Sequence, residues 1–128
     1  MSTTVLLVDD HQMMRDGLRA VIEKEPELKV VGEADNGRAA VELARNLSPD
    51  VVVMDIAMPD MNGIDLAGRL RNRDIAAPVI LITGYPDENI SARAEAAGVR
   101  HVLMKPLLDE SLVTRIRGAI RDAGPVEG

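Results

Sequence analysis

Five positions carry groups suited to a divalent cation or a phosphoryl group: Asp9 and Asp10 in VLLVDDHQ, Asp55 in VVVMDIAMPD, Thr83 in VILITGY and Lys105 in HVLMKP. Each ends or follows a short oily run. Three carboxylates gathered at one place repel one another unless a cation lies between them, and hard oxygen donors without sulfur or imidazole suit Mg²⁺. Mg²⁺ takes one or two protein carboxylates and keeps the rest of its shell for water and phosphoryl oxygens, so a phosphoryl group is the natural ligand. An ionised aspartate needs no general base to attack phosphorus. Asp55 could therefore be a nucleophile, with Mg²⁺ and the Lys105 ammonium holding phosphoryl oxygens and the Thr83 hydroxyl donating to one of them.

That chemistry requires distant positions to become neighbours. Val5 to Val8, Lys29 to Val31 with its flanks, Val51 to Met54, Val79 to Ile82 and Val102 to Met104 read as strands. Between them, Met14, Leu18, Val21 and Ile22 fall at helical spacing, as do Ala40, Leu43, Ala44 and Leu47, then Leu66, Ala67 and Leu70, then Leu112, Ile116, Ala119 and Ile120. Glu88 to Ala97 is a weaker, alanine-rich helix stopped by Gly98. Strand alternating with helix, with near-continuous apolar strands, predicts an α/β fold: a doubly wound parallel sheet of five strands covered by five helices. In such a sheet the loops at the carboxyl ends of the strands gather at the topological switch point. All five reactive positions should meet at that rim.

The chain of 128 residues suits a single domain, expected over residues 1–122, with a short tail over 123–128 and no effector domain. A formal charge of -6 argues against direct DNA binding, which needs a clustered basic surface. Tyr85 is the single aromatic residue, so the core must be aliphatic and methionine. The absence of cysteine excludes disulfides and thiolate ligands, and no apolar run reaches membrane-spanning length, so a soluble cytoplasmic protein is expected.

The blocks VLLVDDHQMMRDGL, DVVVMDIAMPDMNGIDL, VILITGY and HVLMKP resemble the signature segments of the response-regulator receiver domain of two-component signalling, over essentially the whole chain. The resemblance implies a flavodoxin-like strand order of 2-1-3-4-5 and a phosphoryl switch rather than an enzyme with a separate substrate. It implies that Asp55 accepts phosphate from a sensor histidine kinase or histidine phosphotransfer protein, and that the domain catalyses its own phosphorylation and dephosphorylation. Asp10 and Asp55 would bind Mg²⁺ directly, Asp9 would act through metal-bound water, and the backbone carbonyl of Ala57 would complete the protein ligands. Thr83 would be the switch hydroxyl and Lys105 the phosphate partner, before a cis peptide bond to Pro106. Ala57 and Tyr85 would tune access to the site. A homodimer through the face from the fourth helix to the fifth also follows from the resemblance.

One departure stands out. The family usually has Tyr or Phe three residues before the lysine, and this chain has Val102. Phosphorylation is then expected to move Thr83 and the loop carrying Tyr85 with a smaller or different rearrangement around the fourth helix and fifth strand. His101 should point to the opposite face from Val102.

Each signal also has a plain structural reading. Asp10 is a candidate cap for the first helix, Asp55 a turn residue, Thr83 a strand-end hydroxyl and Lys105 a solvated charge. Their joint placement at strand ends is what these readings leave unexplained. Gly63 fits a turn or the start of the third helix, Pro59 shapes the same loop, and Met58 and Met61 fit packing. His11 is assigned to the surface.

Two other functions remain open at this level. Haloacid-dehalogenase-like phosphatases use an aspartate nucleophile, Mg²⁺, a hydroxyl and a lysine, but need a second acid two residues on, where this chain has Ala57. A nucleotide- or flavin-binding module needs a glycine- or hydroxyl-rich first loop, where this chain has DDHQM.

Overall fold

A computed structural model describes residues 3–55, 62–72, 77–83, 88–99, 101–104 and 110–123. The elements run β1 (Thr3–Val8), α1 (Gln12–Ile22), β2 (Leu28–Ala34), α2 (Gly37–Leu47), β3 (Val51–Asp55), α3 (Gly63–Asn72), β4 (Val79–Thr83), α4 (Glu88–Ala96), β5 (His101–Met104) and α5 (Glu110–Ala123). The strands form one parallel sheet in the order β2-β1-β3-β4-β5. The expected domain edge at residue 122 falls one residue inside α5, and 124–128 lie outside the described residues.

Alternation along each strand divides the core into two layers. Val5, Leu7, Val51, Val53, Ile80 and Ile82 point to one side, where they meet Leu18 and Ile22 of α1 and Leu112 and Ile116 of α5. Leu6, Val8, Val52, Met54, Val79 and Leu81 point to the other, against Ala40 and Ala44 of α2, Leu66 and Leu70 of α3 and Ala94 of α4. The central strands are buried on both faces, which explains their uninterrupted oily sequences.

β2 departs from strict alternation. Its register with β1 skips a residue, Val5 pairing with Val30 and Leu6 with Gly32, so Val31 forms a bulge. A one-residue slip exchanges the two faces of a strand. Leu28 and Val30 accordingly pack in the layer of α1 and α5, whereas Ala34 packs in the opposite layer. Past the bulge, odd-numbered positions such as Glu33 turn toward α1.

Local signals close the helices. The Asn36 side chain accepts a hydrogen bond from the Ala39 N–H at 2.8 Å and caps α2, and Asn62 Oδ1 accepts from the Ile64 N–H at 2.7 Å at the start of α3. Gly63 is the first residue of α3, as its sequence context allowed. Gly98 ends α4 with φ of 89°, while its N–H bonds to the Glu95 carbonyl and the Val99 N–H to the Ala94 carbonyl. That pairing is a Schellman closure, and it requires a left-handed residue at Gly98.

Val102 is half-buried and packs with Ile90 and Ala97 against the layer shared by α3 and α4, while Leu103 joins the opposite layer. His101 therefore falls on the other side from Val102 by alternation, as expected.

Candidate functional site

β1 and β3 lie side by side with Val8 opposite Met54, at the point where the strand order reverses. The next residues along each strand are Asp9 and Asp55. The sheet thus sets two carboxylates beside each other at the carboxyl edge. Asp55 is the last residue of β3 and pairs with Ile82, so Thr83, the last residue of β4, lies one position beyond it. Both residues belong to their strands rather than to the loops that follow, and the ladder holds their backbones. Asp9, Asp55 and Thr83 are 1%, 4% and 3% exposed, the polar residues of the buried set among the described residues.

Burying carboxylates at an apolar sheet edge costs free energy unless charge or hydrogen bonds offset it. Asp9 is partly offset locally: its Oδ1 accepts the His11 backbone N–H at 2.8 Å, a two-residue turn that aims the carboxylate. Asp10 does not cap α1. The N-cap is His11, which makes no side-chain capping bond, and Asp10 instead leans toward the His11 ring.

That ring reaches the site. His11 Nδ1 lies 3.0 Å from Asp10 Oδ1 and 3.3 Å from Asp9 Oδ1, although the side chain is 68% exposed. The surface assignment is right about exposure and incomplete about contact. One donor atom from each of Asp9, Asp10, His11 and Asp55 fits within a set whose members all lie within 4.8 Å of one another. Three carboxylates at that spacing match the hard-oxygen preference of Mg²⁺.

Side chains of α1 and β2 hold the acidic loop from behind. The Arg15 guanidinium, on α1, donates from Nη1 to the backbone carbonyl of Asp9 and from Nε to Glu33 Oε1 at 2.9 Å. Arg19, one turn later, donates to Glu33 Oε2 at 2.6 Å, and Gln12 Oε1 accepts from Arg15 Nη2 at 2.7 Å. The Arg15 side chain is only 11% exposed, so this cation is packed in place. Sequence reasoning missed Arg15 and Glu33. The available signal was the row Gln12, Arg15, Arg19 at helical spacing beside the apolar stripe of α1.

Lys105, Pro106, Ala57, Pro59, Tyr85, Met58 and Met61 lie outside the described residues. The structure brings together Asp9, Asp10 and Asp55, with Thr83 on the adjoining strand.

The sequence profile described as the response regulator receiver domain matches residues 5–117. The chain belongs to the response regulator receiver family. Among curated relatives, this receiver is 35% identical over 117 residues to the transcriptional regulatory protein YdfI of Bacillus subtilis, a match covering 91% of this chain and 54% of that protein. It is 34% identical over 116 residues to the nitrate/nitrite response regulator protein NarL of Escherichia coli, again covering 91% of this chain and 54% of that protein. The receiver thus spans about half the length of these relatives. Among solved structures, a LuxR-family two-component response regulator from Aurantimonas superposes with a TM-score of 0.90 at 32% identity, over 95% of this chain and 87% of that one. The response regulator domain of Thermotoga maritima CheB superposes with a TM-score of 0.87 at 33% identity, over 94% of this chain and 98% of that one. The receiver family, rather than the dehalogenase-like phosphatases, accounts for the aspartate cluster on this sheet. Among the described residues, no helix is long and apolar enough to cross a membrane.

Proposed function

We propose that Asp55 is the phosphoacceptor of this receiver. A carboxylate oxygen of Asp55 attacks the phosphorus of a phosphohistidine on a histidine kinase or phosphotransfer protein; an O–P bond forms, the N–P bond breaks, and the electron pair returns to the departing imidazole. The carrying observation is the burial of Asp55 at the last residue of β3, beside Asp9 and Asp10 at the switch point. A strand end fixes the nucleophile's backbone, so the orientation needed for in-line attack is set before the donor arrives.

The carboxylates of Asp9, Asp10 and Asp55 fit Mg²⁺; Asp10 and Asp55 would bind it directly, Asp9 would act through water and the Ala57 carbonyl would complete the set. When bound, the ion supplies positive charge to the phosphoryl oxygens. Lys105 pairs with the phosphoryl group and the Thr83 hydroxyl donates to it, while Ala57 and Tyr85 set the access of water and so the rate at which the domain dephosphorylates itself. Val102, packed as an aliphatic residue against the α3 and α4 layer, supports a switch without an inward-turning ring. Beryllofluoride-dependent amide shifts should then centre on Thr83 and its following loop; large shifts centred on Val102 to Met104 would sink that part.

Output passes through protein contacts, including a homodimer by the face from α4 to α5. Similarity both to transcriptional regulators and, at 41% identity over 105 residues, to a protein-glutamate methylesterase of Methanospirillum hungatei supports shared phosphoryl chemistry rather than one particular output.

The test is mass spectrometry after incubation with acetyl phosphate and Mg²⁺. The wild-type chain should gain one phosphate and Asp55→Asn should gain none. No gain in the wild type, or an unchanged gain in the variant, defeats the assignment.

A further inference from the structure

His11 is the feature of the site that phosphoryl chemistry on Asp55 does not use. It stands at the N-cap of α1 without capping it, and its ring nitrogen is directed at two carboxylates. Donor atoms about 2.1 Å from an octahedral ion lie roughly 3.0 Å apart when adjacent and roughly 4.2 Å apart when opposite. The 3.0 Å between His11 Nδ1 and Asp10 Oδ1, a direct ligand in the reading above, matches that adjacent separation. Asp55 completes the same group within 4.8 Å.

We propose that His11 is an additional metal ligand that tunes which divalent ion the receiver holds, adding imidazole nitrogen to the carboxylate oxygens. This rests on the reading of the acidic cluster as the site's metal-binding group. Mg²⁺ favours all-oxygen coordination and gains little from a nitrogen donor, whereas Mn²⁺, Co²⁺ and Ni²⁺ accept imidazole with rising affinity along the first-row series. A mixed nitrogen and oxygen set therefore narrows the margin by which cellular Mg²⁺ outcompetes a scarcer transition ion. The exposure of the ring lets it close on an ion entering from solvent without repacking the core.

Direct coordination is separable from simple charge pairing by spectroscopy. Mn²⁺ is added to the full chain at about pH 8, above the ordinary imidazole range, and electron spin echo modulation is recorded. A bound-nitrogen modulation is expected in the wild type, lost in His11→Asn and retained in His101→Asn, which removes the other histidine of the sequence. In parallel titrations, His11→Asn should weaken Ni²⁺ binding roughly tenfold more than Mg²⁺ binding, since even groups one shell removed from a metal change affinity by that factor. Mn²⁺ bound without nitrogen modulation, or equal losses of Ni²⁺ and Mg²⁺, overturns the ligand role of His11 alone. Failure of the wild type to bind either Mn²⁺ or Mg²⁺ overturns the metal site and this inference together.

Discussion

Arg15 Nε lies 2.9 Å from Glu33 Oε1, while the same guanidinium donates to the carbonyl of Asp9. Glu33 thereby fixes a cation that fixes the loop bearing the acidic pair. Removing a group that orients a metal-binding loop typically costs about 10- to 100-fold in metal affinity. Arg15→Ala should weaken Mg²⁺ binding by about tenfold, and Glu33→Gln by less, because the backbone bond survives. Arg15→Lys should recover little, lacking the fork that serves three acceptors, Glu33, the Asp9 carbonyl and Gln12. Amide shifts during Mg²⁺ titration give the affinities, since Tyr85 is the one aromatic reporter in the sequence. Unchanged affinity in Arg15→Ala would remove the positioning role.

Clustered carboxylates also set how Mg²⁺ affects stability. An ion that binds only the folded chain adds about 2.7 kcal/mol at roughly 100 times its dissociation constant. Thermal unfolding of the wild type should shift upward with Mg²⁺. Asp10→Asn should unfold at higher temperature than the wild type without Mg²⁺, because one repelling charge is gone, and should respond far less to the ion. Equal responses in the two proteins would argue against Asp10 as a ligand.

At the opposite edge of the sheet, Asp50 Oδ2 accepts from the Thr4 N–H at 2.8 Å and from its hydroxyl at 3.1 Å, and the Asp50 N–H returns to the Thr4 carbonyl at 2.9 Å. The side chain clips the start of β1 to the start of β3. Hydrogen bonds to a charged group contribute about 1.5 kcal/mol or more when protected, and these are exposed. Asp50→Ala should therefore cost about 1 kcal/mol in urea unfolding with an unchanged slope, leaving phosphorylation intact.

Acid sensitivity has a local source in α5. Arg117 donates to Glu27 and, at 3.1 Å, to Glu25, and the hydrogen bond from its guanidinium holds Glu27 below the ordinary value of 4.5. A carboxyl lowered in the folded state binds protons more readily when unfolded. Its contribution is present above the unfolded value and lost as pH falls through the folded one. Stability should decline below pH 4.5 in the wild type, and Arg117→Ala should flatten that part of the profile. Both groups face solvent, so about 1 M salt should reduce the difference between the two proteins.

The element order and the sheet were legible because buried parallel strands write themselves as oily runs and Gly98 announces a helix end. Asp55 and Thr83 were legible for the same reason, as polar residues where an apolar run stops. The plain alternative, Asp10 as a cap for α1, is not what the structure has: His11 is the N-cap, the preceding aspartate accepts its N–H, and Asp10 leans toward the imidazole. The approach of His11 was hidden because a residue beside a site is not thereby aimed at it. Arg15 and Glu33 are 18 residues apart; the polar row on α1 marks Arg15 as a face residue, but its acceptor on β2 depends on the register shift and has no local mark.

The bulge at Val31 explains that meeting, and it concerns number rather than kind. Without the extra residue, Glu33 would face the α2 layer, and Arg15 would be left with no acceptor on β2. The stance of the acidic loop is thus stored two strands from Asp55 as a count of residues. Conservative exchanges along β2 should leave the acidic loop undisturbed, whereas deleting any one residue between Val30 and Glu33 should unseat it, however well the new side chains match.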